Sequence, residues 1–156
     1  MKSMFNKSKT NKSDLIDYDK NVEFYFTNLI NSIILFSLNK TELELLIAPA
    51  FDPIFELESE IDYAFTPVCF ETIFRNQLID VKFKPALLNF KQITDEIPSE
   101  IWDWEFIETE QNWINVRKKA NELLTEMGIK TREYNDDFTT IYDQFGKTLK
   151  KGKNGS

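Results

Sequence analysis

Glycine is absent from the first 127 residues of this 156-residue chain and occurs only at Gly128, Gly146, Gly152 and Gly155. A Walker loop or a dinucleotide-binding turn needs clustered glycines, because its backbone amides must come close to phosphate groups. Tight two-residue hairpins also favour glycine. The distribution therefore excludes the ordinary phosphate-binding loops, disfavours an all-β sandwich and leaves a helical domain as the expectation.

Apolar residues recur at steps of three and four in the first third of the chain, which is the pattern of an amphipathic helix. We expect this helix over residues 19–38. Thr41 and Glu44 have the spacing of a capping box, so a short second helix is expected to begin there and to end at Pro49. The stripe of the first helix consists of Val22, Phe26, Leu29, Ile33 and Phe36.

Three prolines divide the middle of the chain, and proline is favoured at the first position of a helix. Asp52 and Thr66 precede two of them and are expected N-caps. The predicted apolar stripes are Ile54, Leu57, Ile61 and Phe65 after Pro53, then Phe70, Phe74 and Leu78 in a helix from Pro67 to about Ile79, then Ala86, Phe90, Ile93 and Ile97 after Pro85. The face of the first of these helices opposite its stripe carries Glu56, Glu60 and Asp62.

The clearest helix is expected over residues 109–127, with Gly128 just beyond its end. Its stripe is Trp113, Val116, Ala120, Leu123 and Met127. Residues 134–145 fit either a helix or a strand. Together these patterns predict an all-α, single-domain, irregular bundle of about five to seven helices, with segment 134–145 as a strand in the alternative.

The charge divides the chain into three parts. Residues 1–13 and residues 147–156 each carry four lysines and no acid, so both are expected to be flexible basic tails. Residues 14–146, the predicted domain, hold 11 basic and 26 acidic side chains, a net charge of −15. Such a surface repels nucleic acid and attracts basic partners. A purely solubilising surface is the alternative.

The chain has no histidine and one cysteine, which removes histidine-based nucleophile systems and cysteine-based zinc sites. Cys69 lies in an apolar stretch and is expected to be a buried small side chain. We expect no catalytic residue, metal or cofactor. No targeting or membrane-spanning segment is evident, so the expected location is the cytoplasm.

Carboxylates are the abundant reactive groups, and four of them form a pattern. Glu105 and Glu108, followed by Glu133 and Asp136, resemble the ExxE…ExxD signature of the all-α nucleotide pyrophosphohydrolases. The resemblance implies carboxylates that hold magnesium against a triphosphate, and oxygen ligands suit that ion. It covers about thirty residues, and solvated carboxylates among aromatic residues are the alternative.

Two segments alternate aromatic and acidic side chains, and they are the candidate partner-binding residues. Large rings dominate the energy of many interfaces, and carboxylates beside them match Arg or Lys on a partner. The alternative is that Trp102 or Trp104 closes an end of the bundle. The candidates are Trp102, Asp103, Trp104 and Glu105 in the first segment and Tyr134, Asp136, Asp137 and Tyr142 in the second.

A small, acidic, helical, cysteine-poor chain without catalytic groups is similar in style to bacterial immunity proteins. The resemblance implies a non-catalytic protein that binds and neutralises a cognate toxin, often a basic nuclease, and it covers no aligned stretch. The expected partner is a basic protein, with nucleic acid and membrane disfavoured. A regulatory adaptor and a magnesium-dependent pyrophosphohydrolase are the other interpretations.

Overall fold

The computed structural model describes residues 12–137, 140–142 and 148–151, and the side chains of residues 16–137. Within residues 12–137 the chain forms eight α-helices, and the all-α fold predicted from the sequence is confirmed. The helices are α1 Lys12–Lys20, α2 Val22–Ser37, α3 Lys40–Glu44, α4 Pro53–Ala64, α5 Pro67–Arg75, α6 Lys84–Asp95, α7 Trp104–Ile107 and α8 Gln111–Glu126. Short 3-10 turns lie at Val81–Phe83 and Ser99–Ile101.

Helix α2 is the centre of the fold. Every residue from Leu29 to Leu38 is buried, and α4, α5 and α8 all pack against it. A helix that is covered on all sides carries apolar residues all round rather than one stripe. The stripe predicted for α2 therefore identified only part of its buried surface.

The helix predicted over about residues 19–38 is present as α2, but it begins at Val22, because the chain turns at Asn21. This residue lies outside helical geometry, at φ −104° and ψ 12°. Its backbone N–H donates to the Tyr18 carbonyl (2.9 Å), and its side-chain amide donates to the Asp17 carbonyl (3.0 Å). Local bonds of this kind let asparagine end a helix, so α1 and α2 are separate helices. The helix α1 also begins at Lys12, inside the predicted basic tail.

The capping box of α3 lies two residues before the predicted one. The Asn39 side chain accepts from the Glu42 backbone N–H (2.8 Å), and the Glu42 carboxylate accepts from the Asn39 backbone N–H (2.9 Å). The prediction missed it because Asn39 caps as well as threonine does. The helix consequently ends at Glu44, before the proline at 49.

Proline occupies the first turn of α4, α5 and α6, as predicted. Asp52 caps α4 by accepting from the Ile54 backbone N–H (3.1 Å). Thr66 does not cap α5 in this way, because its hydroxyl donates back to the Tyr63 carbonyl.

Two of the predicted stripes are displaced around their helices. Helix α5 ends at Arg75 and leaves Leu78 exposed, and in α6 Ala86 is exposed. The displacement arises because α5 and α6 each mix apolar residues on two faces, so spacing alone did not select the covered one. Phe70 and Phe90 of the predicted stripes are buried as expected, and the further buried residues are Cys69, Thr72 and Ile73 in α5 and Leu87 and Thr94 in α6. The burial of Cys69 is itself as predicted.

Helix α8 and its ending follow the prediction closely. Trp113, Val116, Ala120 and Leu123 are buried, while Met127 is half-buried. Gly128 has φ +79°, a backbone angle that residues other than glycine rarely adopt. Its backbone N–H donates to the Thr125 carbonyl, and the backbone N–H of Ile129 donates to the Leu124 carbonyl (2.9 Å). These two bonds form the Schellman pattern.

After Ile129 the chain is not helical. Residues 131–137 form a segment without regular secondary structure, which we call the strap, and two short strands follow, β1 Thr140–Tyr142 and β2 Thr148–Lys151. The strands are antiparallel, and Thr140 pairs with Lys151. The strand alternative for segment 134–145 thus holds at 140–142, and residues 148–151 are a strand rather than part of a flexible tail. Residues 1–11, 143–147 and 152–156 of the predicted tails and domain end lie outside the described residues.

The buried apolar side chains of α2 to α8 form one contiguous cluster, from Tyr25 to Leu124. The long helices therefore share one hydrophobic core. Within the part of the chain that the structure describes, no helix combines the length and apolar character needed to cross a bilayer.

A candidate partner-binding groove

A groove of about 630 Å³ separates α4 from α6 and the turn that follows α6. Its apolar lining comes from Ile54 and Ile61 on one side and from Ile97 and Trp102 on the other. Phe55 also lines the groove and is 64% exposed. An exposed ring beside an apolar groove is a feature that protein-binding surfaces share.

Carboxylates surround this apolar lining. Asp52 and Glu58 are exposed, and neither carboxylate has an ion pair among the described residues, although Asp52 also caps α4. Asp62 and Asp95 face each other across the groove and share the ammonium group of Lys91, at 3.1 and 2.5 Å. Four carboxylates and one ammonium leave the groove strongly negative.

Lys91 is held firmly in this arrangement. Its side chain is 19% exposed, whereas those of Asp62 and Asp95 are more than half exposed. Burial alone lowers the pKa of Lys91, but hydrogen bonds from its ammonium group to Asp95 and Asp62 outweigh this and raise the pKa above its ordinary value. Lys91 is therefore a fixed cation at the edge of the groove.

Trp102 is the predicted binding residue that lines the groove. It is half-buried, and its ring packs edge-on against Trp113 (4.9 Å between centroids) and Phe36 (6.2 Å). Its indole N–H donates to the Ile97 carbonyl at 3.3 Å. Trp102 thus closes this end of the bundle with one side of its ring, as the alternative interpretation has it, and contributes to the groove with another.

The other three residues of the first aromatic segment lie at the start of α7. Asp103 and Glu105 are exposed, while Trp104 is half-buried against the core. Asp103 is the residue before α7, but its side chain accepts no capping bond. The neighbouring tryptophans therefore differ less in burial than the alternation of the sequence suggested.

Tyr134, in the strap, is engaged inside the protein. Its hydroxyl donates to the Glu60 carboxylate (Tyr134 Oη to Glu60 Oε2, 2.5 Å), and its ring lies edge-on to Phe51, 5.4 Å between centroids. Glu60 was expected on the solvent face of α4, and that expectation is wrong because the strap covers it. Burial raises the pKa of Glu60 to about 8; the Tyr134 hydroxyl opposes the rise, and the nearby Glu56 carboxylate adds to it.

Two hydrogen bonds also hold the strap against α2. The buried Asn31 side chain donates to the Asn135 carbonyl (2.7 Å) and accepts from the Asn135 backbone N–H (2.8 Å). Asp136 and Asp137 follow and are half-buried. The backbone N–H of Asp137 donates to the Asn135 side chain at 2.9 Å. Tyr142 lies in β1, and its side chain lies outside the described ones.

The two predicted segments contact opposite flanks of α4. Successive helical residues are about 100° apart, so Phe55, Glu58 and Asp62 lie on the groove flank. Glu60 lies on the flank that the strap covers, roughly 150° around the helix by the same spacing. Trp102 therefore belongs to the groove, and Tyr134 belongs to a separate contact.

The pyrophosphohydrolase pattern does not converge in the structure. Glu105 lies in α7 and Glu108 directly after it, whereas Glu133 and Asp136 lie in the strap, which has no helix. Across the residues described, no three carboxylate or cysteine side chains are grouped so that they could hold a metal ion. The spacing of the signature depends on helical segments, and the strap is not helical.

In comparison with known proteins, no family model, curated protein or solved structure matches the chain.

Sequence reasoning missed most of this groove. Phe55, Asp62 and Asp95 come from two helices, and nothing in the spacing of either helix shows that they face each other. One signal was present: Phe55 is a large ring on the face of α4 that the apolar stripe leaves to solvent.

Proposed function

We propose that this chain is a non-catalytic binding protein that neutralises a basic protein, in the manner of an immunity protein and its toxin. The observation that carries the proposal is the groove between α4 and α6, where an apolar lining is surrounded by carboxylates. The partner is a basic protein surface that presents an apolar side chain between cationic ones.

The charge of the chain supports fast association with such a partner. Residues 14–146 carry a net charge of −15, and concentrated charge of one sign steers an oppositely charged partner towards the surface. Asp52 and Glu58 add exposed negative charge at the groove itself. Steering of this kind weakens as salt screens the field.

The apolar residues of the groove support lasting affinity. Phe55 is exposed and Trp102 is half-buried, so a partner side chain that enters the groove removes both rings from water. Truncation of a ring in such a position often costs about 2 kcal/mol or more of binding free energy. The loss is seen mainly as a higher dissociation rate. Asp103, Trp104 and Glu105, which follow Trp102 in the chain, are proposed as a wider contact region beside this centre. Asp136 and Asp137 in the strap and Tyr142 in β1 are proposed as a second contact, because the strap lies on the other flank of α4.

The experiment combines capture, kinetics and neutralisation. The partner is captured from the native host, and its activity or toxicity is measured with and without this protein. Association and dissociation rates are then compared for Phe55→Ala, Glu58→Gln and the control Glu122→Gln on α8. We expect faster dissociation for Phe55→Ala, slower association for Glu58→Gln at low salt, and no change for the control.

An acidic captured partner contradicts the proposal. So does a partner whose association and dissociation rates are the same for the parent protein and for both groove variants. A regulatory adaptor is separated from an immunity protein by the neutralisation assay. An adaptor binds its partner without abolishing the partner's activity, whereas an immunity protein abolishes it.

A further inference from the structure

A cation of the chain itself lies beside the groove. The Lys91 ammonium pairs with Asp62 and Asp95, two carboxylates that line the groove. One ammonium serves two carboxylates there, so the cluster keeps a net negative charge. The Glu58 carboxylate, in the same groove, has no hydrogen bond or ion pair with any side chain that the structure describes.

We infer that Lys91 occupies the place of a partner arginine, which displaces it from Asp62 and Asp95 when an apolar neighbour of that arginine enters the groove beside Phe55. This inference rests on the proposed function and names the partner chemistry of the same groove. The occupant is an arginine-bearing amphipathic segment of a basic protein.

The preference for arginine follows from the geometry of the carboxylate pair. Asp62 comes from α4 and Asp95 from α6, and the single Lys91 nitrogen bridges them with unequal distances of 3.1 and 2.5 Å. A guanidinium group presents five N–H donors in a planar fork, so it can serve two carboxylates at once. It is also more weakly hydrated than an ammonium group, which lowers the cost of bringing it to an apolar surface.

Exchange of one cation for another also limits the electrostatic cost of binding. One positive charge stays beside Asp62 and Asp95 throughout, and the released Lys91 returns to water. Both carboxylates are more than half exposed, so the partner side chain reaches them without unfolding of either helix. The apolar lining and the free Glu58 then add contacts that Lys91 does not make.

The test uses two synthetic peptides of one amphipathic design, with a leucine stripe and with either arginines or lysines at the charged positions. Binding to the full chain is measured by isothermal titration calorimetry at low and high salt. We expect the arginine peptide to bind about tenfold more tightly than the lysine peptide, the scale of one well-formed charge pair.

Two variants of Lys91 move the affinity in opposite directions if the inference is right. Lys91→Gln removes the competing cation and strengthens binding of the arginine peptide several-fold. Lys91→Arg holds the carboxylates more firmly and weakens it. The control Lys119→Gln changes the net charge by the same amount at an exposed ion pair on α8 and leaves the affinity within about twofold.

The outcomes separate this inference from the function on which it rests. Equal binding of the two peptides, with no effect of either Lys91 variant, overturns the displacement. If Phe55→Ala still abolishes that binding, the groove remains the partner site and only the role of Lys91 is wrong. Absence of peptide binding overturns the inference too, and the neutralisation assay then decides the proposed function by itself. Thermal unfolding of each variant verifies that the fold is kept.

Discussion

The Tyr134 hydroxyl and the Glu60 carboxylate are joined by a 2.5 Å hydrogen bond that connects the strap to α4 across 74 residues of sequence. Glu56 is the other titratable group beside Glu60, and Asn28 of α2 donates its side-chain amide to the Glu60 carbonyl at 3.2 Å. A carboxyl group in this position favours its protonated form, because burial penalises its charge.

We expect the stability of the protein to fall as pH rises from about 4.5 to about 8. In that range Glu60 is ionised in the unfolded chain and protonated in the folded one, since its pKa is raised from 4.5 to about 8. The folded state then binds more protons, so the free energy of unfolding decreases by about 1.4 kcal/mol per pH unit from this group. The loss is complete above the folded pKa.

The variant Glu60→Gln tests this directly, because glutamine keeps an acceptor for Tyr134 and cannot ionise. At pH 8 we expect it to be more stable than the parent by at least about 2 kcal/mol, with a smaller difference at pH 4.5. Urea unfolding at several pH values measures both. The exposed Glu58 supplies the control Glu58→Gln; equal pH profiles for all three proteins would refute the assignment.

Tyr134→Phe removes the hydroxyl and leaves the ring on Phe51. The Tyr134 hydrogen bond lowers the pKa of Glu60, so its loss is expected to move the upper end of the pH-dependent range further upward. We also expect a loss of about 1 kcal/mol of stability at neutral pH, as for a typical hydrogen bond. Urea unfolding at several pH values measures both effects. If the upper end of the pH-dependent range does not move, the Tyr134 hydroxyl does not lower the pKa of Glu60.

Asn31→Ala removes the two bonds that hold Asn135 to α2. We expect faster amide hydrogen exchange in residues 131–137 with little change in α8, because local opening depends on the contacts of each segment. The control Asn28→Ala removes a single bond, to Glu60 of α4 rather than to the strap. Exchange rates that rise equally throughout the protein would mean that Asn31 stabilises the core instead of the strap.

Incubation with magnesium and a panel of nucleoside triphosphates is expected to give no pyrophosphate, because Glu105 and Glu133 lie in segments that the structure does not join into a metal site. Phosphate and pyrophosphate release are measured by a coupled colorimetric assay. Release that disappears in Glu105→Ala and in Glu133→Ala would establish the hydrolase instead.

Helix ends were predictable from the sequence where a single residue type determines the backbone conformation. Pro53 after Asp52 and Gly128 after α8 both mark helix ends as expected, because proline suits a first turn and glycine suits a positive φ. The break at Asn21 was not predictable in this way, since asparagine also occurs inside helices and no proline or glycine marks the turn. There the local hydrogen bonds of Asn21 decide the structure.

The candidate site was predictable only in part. Trp102 was identified from its aromatic character, and it does line the groove. The groove itself depends on the fold, which brings α4 and α6 to either side of it, and the groove residues Asp62 and Asp95 are separated by more than thirty positions. The strap was missed because its contacts, such as Tyr134 with Glu60, also join distant parts of the chain and leave no local pattern.

The burial of ten consecutive residues, from Leu29 in α2 to Leu38 just after its end, has a consequence during synthesis. Residues 29–38 contain no charged side chain, and α8, one of the helices that cover them, is translated much later. At about 5–20 residues per second, the ribosome needs on the order of ten seconds to reach the end of α8. During that interval the most apolar helix of the nascent chain has only a partial cover, so chaperone binding is expected to concentrate on α2.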